Sequence, residues 1–277
     1  LLLTVATTVN AQSVTWISST EGNVWQKSKV KLQSKSEQNP VLQVDGTENG
    51  VVFKNWGTTF NELCWDALGV LTRTEQDEIL YNIFSPQGDL RITRGRISMG
   101  ANDYARSWYS CDEVEGDFEL RYFNINRDKQ TIIPFIRAAQ KYNPNLTFWI
   151  SPWCPPSWMK INGDYPVLSS PFNSLSEKQN YLLYGATGGQ VDENEMKLTD
   201  ARDGVFPRQL ATTDFMIQDP RYLQTYADYF CRFIDAYKEQ GIPIDMVMYQ
   251  NEAYSYTPYP GCAWTCLLYT SPSPRDA

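Results

Sequence analysis

The sequence predicts an α/β protein, the first half of a (β/α)8 barrel preceded by a short β segment. Three observations predict it. From Val51 to Gln250, short apolar runs of strand character alternate with segments of helical period. No Gly-x-Gly-x-x-Gly turn follows the first of these strands, and Gly185-Ala186-Thr187-Gly188-Gly189 lacks the Lys of a Walker loop. This disfavours an open doubly wound sheet, the other architecture the order allows. Residues able to do chemistry gather just past the ends of the second, third and fourth strands, where barrels place their active sites.

Val14 to Gly50 alternates apolar and polar residues (Val14/Trp16, Val30/Leu32, Val41/Gln43), broken at Gly22 and before Pro40, and reads as short strands. Val51 to Trp56 is the first barrel strand, closed by Gly57. Thr72 and Glu75 have capping-box spacing ahead of a helix with Ile79, Leu80, Ile83 and Phe84 on one face. Leu90 to Met99 is the second strand, ended by Gly100. Ile132, Phe135, Ile136 and Ala139 mark the next helix, with Pro134 tolerable only in its first turn. Leu146 to Ile150 is the third strand, stopped by Ser151-Pro152. The polar stretch from about Lys160 to Thr213 reads as a long surface loop. Asp219 as N-cap and Pro220 open a third helix, with Leu223, Tyr226, Phe230, Phe233 and Tyr237 facing inward. Gly241 and Pro243 end it, and Ile244 to Gln250 is the fourth strand.

Composition narrows the chemistry. The 277 residues are 42% hydrophobic and 14% aromatic, enough for a packed core. Nine Trp and seventeen Tyr serve either a large core or the stacking of flat rings on sugar faces. A net charge of −8 without a basic tract argues against a nucleic-acid partner. With no histidine, Ser-His-Asp catalysis, Cys-His catalysis and His-ligated zinc are all excluded. The six cysteines form no Cys-x-x-Cys pair, which speaks against a metal cluster, and they read as mostly buried thiols.

The two ends carry expectations of their own. Residues 1–11, Leu1 to Ala11, resemble the end of a secretory signal peptide, which implies a secreted or periplasmic protein, and no stretch is long enough to span a bilayer. Residues 266–277 are rich in Ser and Pro where a helix should follow the fourth strand, and read as a non-native tail.

The most informative segment is Tyr249-Gln250-Asn251-Glu252, where an apolar strand stops in an amide and a carboxylate. Sugar-cleaving barrels present a proton donor in this way. Three segments join it: Trp56-Gly57-Thr58-Thr59-Phe60; Gly95-Arg96 continuing to Asp103-Tyr104; and Ser151-Pro152-Trp153-Cys154-Pro155-Pro156-Ser157-Trp158. With the downstream Tyr259-Pro260-Gly261-Cys262-Ala263-Trp264, they resemble glycoside hydrolase family 30, which includes glucosylceramidases, β-1,6-glucanases and some xylanases. The resemblance runs from about Val51 to Thr265.

The resemblance implies a retaining β-glycosidase acting on a β-linked glycan or glycoside, with no metal or organic cofactor. Glu252 matches the acid/base, a carboxyl that protonates the departing oxygen and then takes a proton from water. Asn251 matches the residue that hydrogen-bonds the sugar 2-hydroxyl, and Asp103 a ligand of other sugar hydroxyls. Trp153 matches an aromatic wall of the sugar subsite, Trp158 reads as a core residue, and Arg96 matches an arginine that supports the nucleophile. Asp103, Trp153, Asn251 and Glu252 are therefore expected to converge on one cleft at the C-terminal rim of the strands.

The family's nucleophile is a Glu at the end of strand seven, and this sequence reads only to strand four, as an amino-terminal fragment. Glu62 and Asp66, after the first strand, are wrongly placed for that role. The resemblance also assigns residues 12–50 to an accessory β-sandwich and residues 51–265 to the partial barrel. A non-catalytic carbohydrate-binding protein that keeps the aromatic cleft is the alternative.

Overall fold

The computed structural model describes residues 13–31, 55–175, 215–253 and 257–264. The segment read as the end of a signal peptide, residues 32–54 with the further strands expected there, residues 176–214 of the long loop and the tail at 266–277 lie outside the described residues. The chain divides into two compact units, Leu1–Phe53 and Lys54–Ala277. No described helix is long and apolar enough to cross a membrane.

In the first unit, β1 (Ser13–Thr20) and β2 (Asn23–Lys31) form an antiparallel hairpin in which Val14 pairs with Val30 and Trp16 with Ser28. Gly22 sits in the turn at φ 78°, a conformation that suits a residue without Cβ. The alternation read from the sequence is thus a real two-stranded ladder as far as Lys31.

The second unit is built on a four-stranded parallel sheet in the order β3-β4-β5-β6: Gly57–Phe60, Arg94–Ser98, Thr147–Ser151 and Ile244–Val247. Between the strands lie α1 (Glu62–Gly69), α2 (Arg73–Phe84), α3 (Ile132–Gln140) and α4 (Pro220–Glu239). Parallel pairing puts Thr59, Arg96, Trp149 and Met246 in one row, and Phe60, Ile97, Ile150 and Val247 in the next. Side chains of paired residues share a face, so the two rows face opposite ways. The Phe60 row packs on the helices: Phe60 meets Phe135 of α3 at a ring separation of 4.7 Å and Phe84 of α2 at 5.6 Å. Gly95 lies between the rings of Phe60 and Phe148, where a Cβ would come within 2.6 Å and 2.8 Å of their carbons. The Arg96 row faces the other way and carries the polar groups.

Helix starts follow the capping signals. Thr72 and Glu75 form the complete reciprocal box of α2, and Asp219 caps α4 by accepting from the Arg221 N–H, with Pro220 in its first turn. In α4 the fully packed residues are Thr225, Tyr226, Tyr229, Phe233 and Tyr237, while Leu223 and Phe230 are half-buried, so the inner face is rotated toward Tyr229. Helix α1 has no counterpart in the sequence reading. It is short, and only its Asn61 cap, which accepts from the Cys64 N–H, announces it.

Three strand boundaries differ from expectation. Gly57 opens β3, because Gly57–Phe60 is what pairs with Arg94–Ile97, while Val51 to Lys54 of the expected first strand lie outside the described residues. Leu90 and Ile92 donate their N–H groups back to Asn82 and Ile83 of α2, so they finish the helix-to-strand turn and β4 starts only at Arg94. Strand β6 ends at Val247 and is largely exposed, as are Met248 and Tyr249, because it is the edge of the described sheet. The described start of the expected surface loop is also partly buried: Lys160, Val167 and Leu168 are packed, and the Val167 and Leu168 N–H groups bond the Thr257 carbonyl. Among the cysteines, Cys111, Cys154 and Cys262 are buried, whereas Cys64 and Cys231 are exposed, on the outer sides of α1 and α4.

Beneath the sheet, Asp128 is fully buried and accepts from the hydroxyls of Tyr109 and Tyr237, each at 2.6 Å. Burial pushes its carboxyl up to about 6, against the pull of the two hydroxyls. A carboxyl raised in the folded state binds its proton more tightly there than in the unfolded chain. Its contribution is therefore complete below the unfolded value near pH 4 and is lost as pH rises through about 6. The size is on the order of 3 kcal/mol. Thermal unfolding between pH 4.5 and 7.5 is expected to show this loss in the wild type and not in Asp128→Asn. Equal pH slopes for the two proteins would refute it.

Candidate active site

Each strand exit delivers one part of the site. After β4, Gly100 turns the chain at φ 87°, and the buried Asn102 braces the turn by donating to the Gly100 carbonyl and accepting from the Tyr104 N–H. Asp103 sits at the tip of this turn. After β5, the Pro152 carbonyl accepts the Asn251 N–H at 2.8 Å, which ties the exit of β5 to that of β6. After β6, Glu252 adopts φ 47°, a left-handed conformation rare for a residue with a long side chain. Such a conformation costs about 1 to 3 kcal/mol and persists only where neighbouring contacts impose it. Here Asn251 is held by Pro152, and the Ala253 carbonyl accepts the Trp264 N–H at 2.9 Å.

Arg96 is the hub. Its Nη2 donates to Asn251 Oδ1 at 2.7 Å and to Ser151 Oγ at 3.2 Å. Its guanidinium lies 4.1 Å from the centre of the Trp153 ring and 5.0 Å from that of Trp149. Among the described residues Arg96 is ion-paired to no carboxylate, and its Nε is buried without a hydrogen-bond partner. Burial lowers its proton affinity, and the charges of Asp103 and Glu252 restore part of it. An arginine remains cationic through such a change.

Trp153 is buried, and its indole N–H donates to Asp103 Oδ2 at 3.2 Å. Burial of the Asp103 carboxyl raises it above the ordinary carboxylate value. The Trp153 N–H opposes that rise, the Glu252 charge adds to it and Arg96 opposes it. Glu252 itself is exposed. Tyr259, on the segment after β6, is raised first by burial and then by the charges of Glu252 and Asp103. The structure therefore brings Arg96, Asp103, Trp153, Asn251 and Glu252 together at the C-terminal ends of β4, β5 and β6. Trp158 is separate: it is buried and donates its indole N–H to the Asp112 carbonyl.

Glu62 and Asp66 lie elsewhere. Burial would raise the fully buried Glu62, but hydrogen bonds from Arg127 and the Arg106 N–H bring it below the ordinary value. Asp66 is occupied by Arg106. Among the described residues no group of three acidic or thiol side chains is placed to hold a metal ion.

Residues 53–170 match the model of the glycosyl hydrolase family 30 TIM-barrel domain. Over these residues the chain is similar to the barrel domain of that family. A Caenorhabditis elegans protein provisionally named glucosylceramidase 4 is 27% identical over 250 residues, 90% of this chain and 40% of its own length. The endo-1,6-beta-D-glucanase neg1 of Aspergillus fumigatus is 26% identical over 81% of this chain and 40% of its own length. The lysosomal acid glucosylceramidase of Mus musculus is 26% identical over 74% of this chain and 32% of its own length. The chain thus spans two fifths or less of the length of these relatives. Among solved structures, SrfJ from Salmonella typhimurium aligns with a TM-score of 0.58 at 18% identity, over 90% of this chain and 46% of SrfJ. The endo-beta1,6-glucanase BT3312 aligns with a TM-score of 0.54 at 21% identity, over 77% of this chain and 38% of that one. Both likenesses concern the fold alone, and they agree with the four-stranded parallel sheet.

Sequence reasoning missed several groups that shape this site. Trp149 is the second ring on Arg96, and Ser151 its second acceptor; the parallel register, which the sequence does not state, puts both beside it. Tyr259 belongs to a segment that was singled out, but that it feels the charges of Glu252 and Asp103 depends on how that segment folds back.

Proposed function

We propose that this chain carries the acid/base side of the active site of a retaining β-glycosidase that hydrolyses O-glycosidic bonds. The observation that carries the reading is the cluster of Arg96, Asp103, Trp153, Asn251 and Glu252 at adjacent strand ends, in a chain similar to the barrel domain of family 30. In this reading Glu252 gives its proton to the glycosidic oxygen as the bond to the anomeric carbon breaks. In the second step it removes a proton from the attacking water. Because Asn251 Oδ1 is engaged by Arg96, the amide N–H groups of Asn251 remain to donate to a sugar hydroxyl. Asp103 spends one oxygen on Trp153, leaving the other to accept from a hydroxyl.

Retention also needs a second carboxylate about 5 to 5.5 Å from Glu252 on the opposite face of the sugar. We assign that nucleophile to a later barrel strand outside these residues, with Arg96 facing it. Relatives named for glucosylceramide and for β-1,6-glucan support a β-glucoside as substrate. The test is to follow hydrolysis of aryl β-glucosides and β-1,6-linked gluco-oligosaccharides by proton NMR, using the protein that contains the whole barrel. The first-formed sugar should be the β-anomer. An α-anomer would refute retention, and binding without any turnover would make the protein a carbohydrate binder.

A further inference from the structure

Gln250 directly precedes the Asn251–Glu252 pair and has no assigned part in the chemistry, yet it is buried among three segments of the site. Its Nε2 donates to the Trp153 carbonyl at 2.6 Å and to the Asn251 carbonyl at 2.8 Å. Its Oε1 accepts the Trp264 indole N–H at 3.2 Å. One neutral side chain therefore joins the β5 exit that carries Trp153, the β6 exit that carries Asn251 and Glu252, and the segment that carries Tyr259 and Trp264. The contacts also fix which way the amide points, since two carbonyls need a donor on one side and an indole N–H needs an acceptor on the other.

We propose that Gln250 is a positioning residue that sets the spacing of the Asn251–Glu252 pair from Trp153 and holds the 257–264 segment over the cleft. It touches no substrate atom. It acts by fixing the strained turn at Glu252 from behind, where the two flanking backbone bonds, Asn251 N–H to Pro152 and Trp264 N–H to Ala253, leave the side chain of residue 252 free to swing. The proposal rests on the glycosidase reading for its effect on turnover, but not for the clamp itself.

Two near-isosteric substitutions separate positioning from bulk stability. Gln250→Met removes both donors and the acceptor while keeping the volume. Gln250→Glu keeps the acceptor for Trp264, but when ionised it turns a buried carboxylate oxygen toward two carbonyl oxygens. Protonation restores one donor. In the whole-barrel protein, with 4-nitrophenyl β-D-glucoside as probe, Gln250→Met is expected to lower kcat about 100-fold, the loss typical of a misplaced catalytic group, with a smaller change in KM. Gln250→Glu is expected to approach wild-type kcat at acid pH and to lose it progressively as pH rises, a profile that a general loss of stability does not produce. A Gln250→Glu profile parallel to the wild type would overturn the proposal. So would losses that merely follow the unfolded fraction.

The second readout is the Trp264 indole N–H resonance, assigned with Trp264→Phe. It should shift with pH in Gln250→Glu and stay fixed in the wild type. If the wild type turns over no β-glucoside, the glycosidase reading is what needs revision, and the clamp is decided by this resonance alone. An indole signal unmoved in both variants would refute it.

Discussion

Glu252→Gln is expected to slow hydrolysis of β-glycosides with poor leaving groups by about 100- to 10,000-fold, the range supplied by a general acid, while 2,4-dinitrophenyl β-glycosides lose far less in the glycosylation step. The difference follows from where the proton is needed. An alkoxide from a sugar or lipid alcohol leaves only with a proton in place, whereas a dinitrophenolate is stable without one. The amide of Gln keeps the size and a hydrogen-bond donor at residue 252, and therefore the strained turn at φ 47°, so that only proton transfer is removed. The water-attack step loses its base in the same variant. An activated substrate should then show a burst of phenolate followed by slow turnover. Azide, which needs no base, should restore turnover of activated substrates by Glu252→Ala and give the β-glycosyl azide. An equal loss for both leaving-group classes would show that Glu252 is not the acid, and azide without effect would show that it is not the base.

Much of this arrangement was legible because it is local. The capping box of Thr72 and Glu75, the Pro after Asp219 and the strand-ending polar residues act within a few positions of one another, and the elements they announce are in the fold. The quoted strand-end segments likewise led to Arg96, Asp103, Trp153, Asn251 and Glu252, and these five lie together. What the sequence concealed is set by pairing between distant segments. Whether Gly57 closes one strand or opens the next depends on its register with Arg94. The burial of Lys160 and Val167, in a stretch polar enough to pass for a surface loop, depends on the backbone groups of residues 257–261 meeting it. Gln250 was visible as part of a motif, but its work is directed at Trp153 and Trp264, which no spacing rule connects to it. Glu62 had been set aside as a nucleophile by its place after the first strand. Its partners Arg127 and Arg106 give it a structural occupation that only the folded chain reveals.

Lys160→Met should destabilise the second unit by on the order of 3 kcal/mol, and the reason is the geometry of one buried amino group. Lys160 is 2% exposed, and its Nζ donates to the carbonyls of Tyr165, Pro166 and Gly261 at 2.7, 3.0 and 2.9 Å. Three donors meet three acceptors, so the nitrogen is satisfied without a counter-ion. Two of the acceptors lie within its own loop, and the third is on the segment whose Trp264 indole N–H bonds Gln250. Methionine fills the same volume, so little cavity forms. The cost comes instead from three buried acceptors losing their partner, each about 1 to 3 kcal/mol, partly relieved if water enters. Arginine is not expected to rescue it, because a planar guanidinium cannot direct three donors to points arranged around a single nitrogen. Thermal unfolding should show a midpoint lower by roughly 10 °C for Lys160→Met in a unit of this size. Because Gly261 shares a segment with Trp264, which bonds the Gln250 next to Asn251 and Glu252, KM for a glycoside should also rise, measured well below the new midpoint. A Lys160→Met protein with wild-type midpoint and KM would mean that the loop is held by its other bonds, such as those of Val167 and Leu168 to Thr257 and of Gly261 to Tyr165, and that the buried lysine contributes nothing to the shape of the cleft.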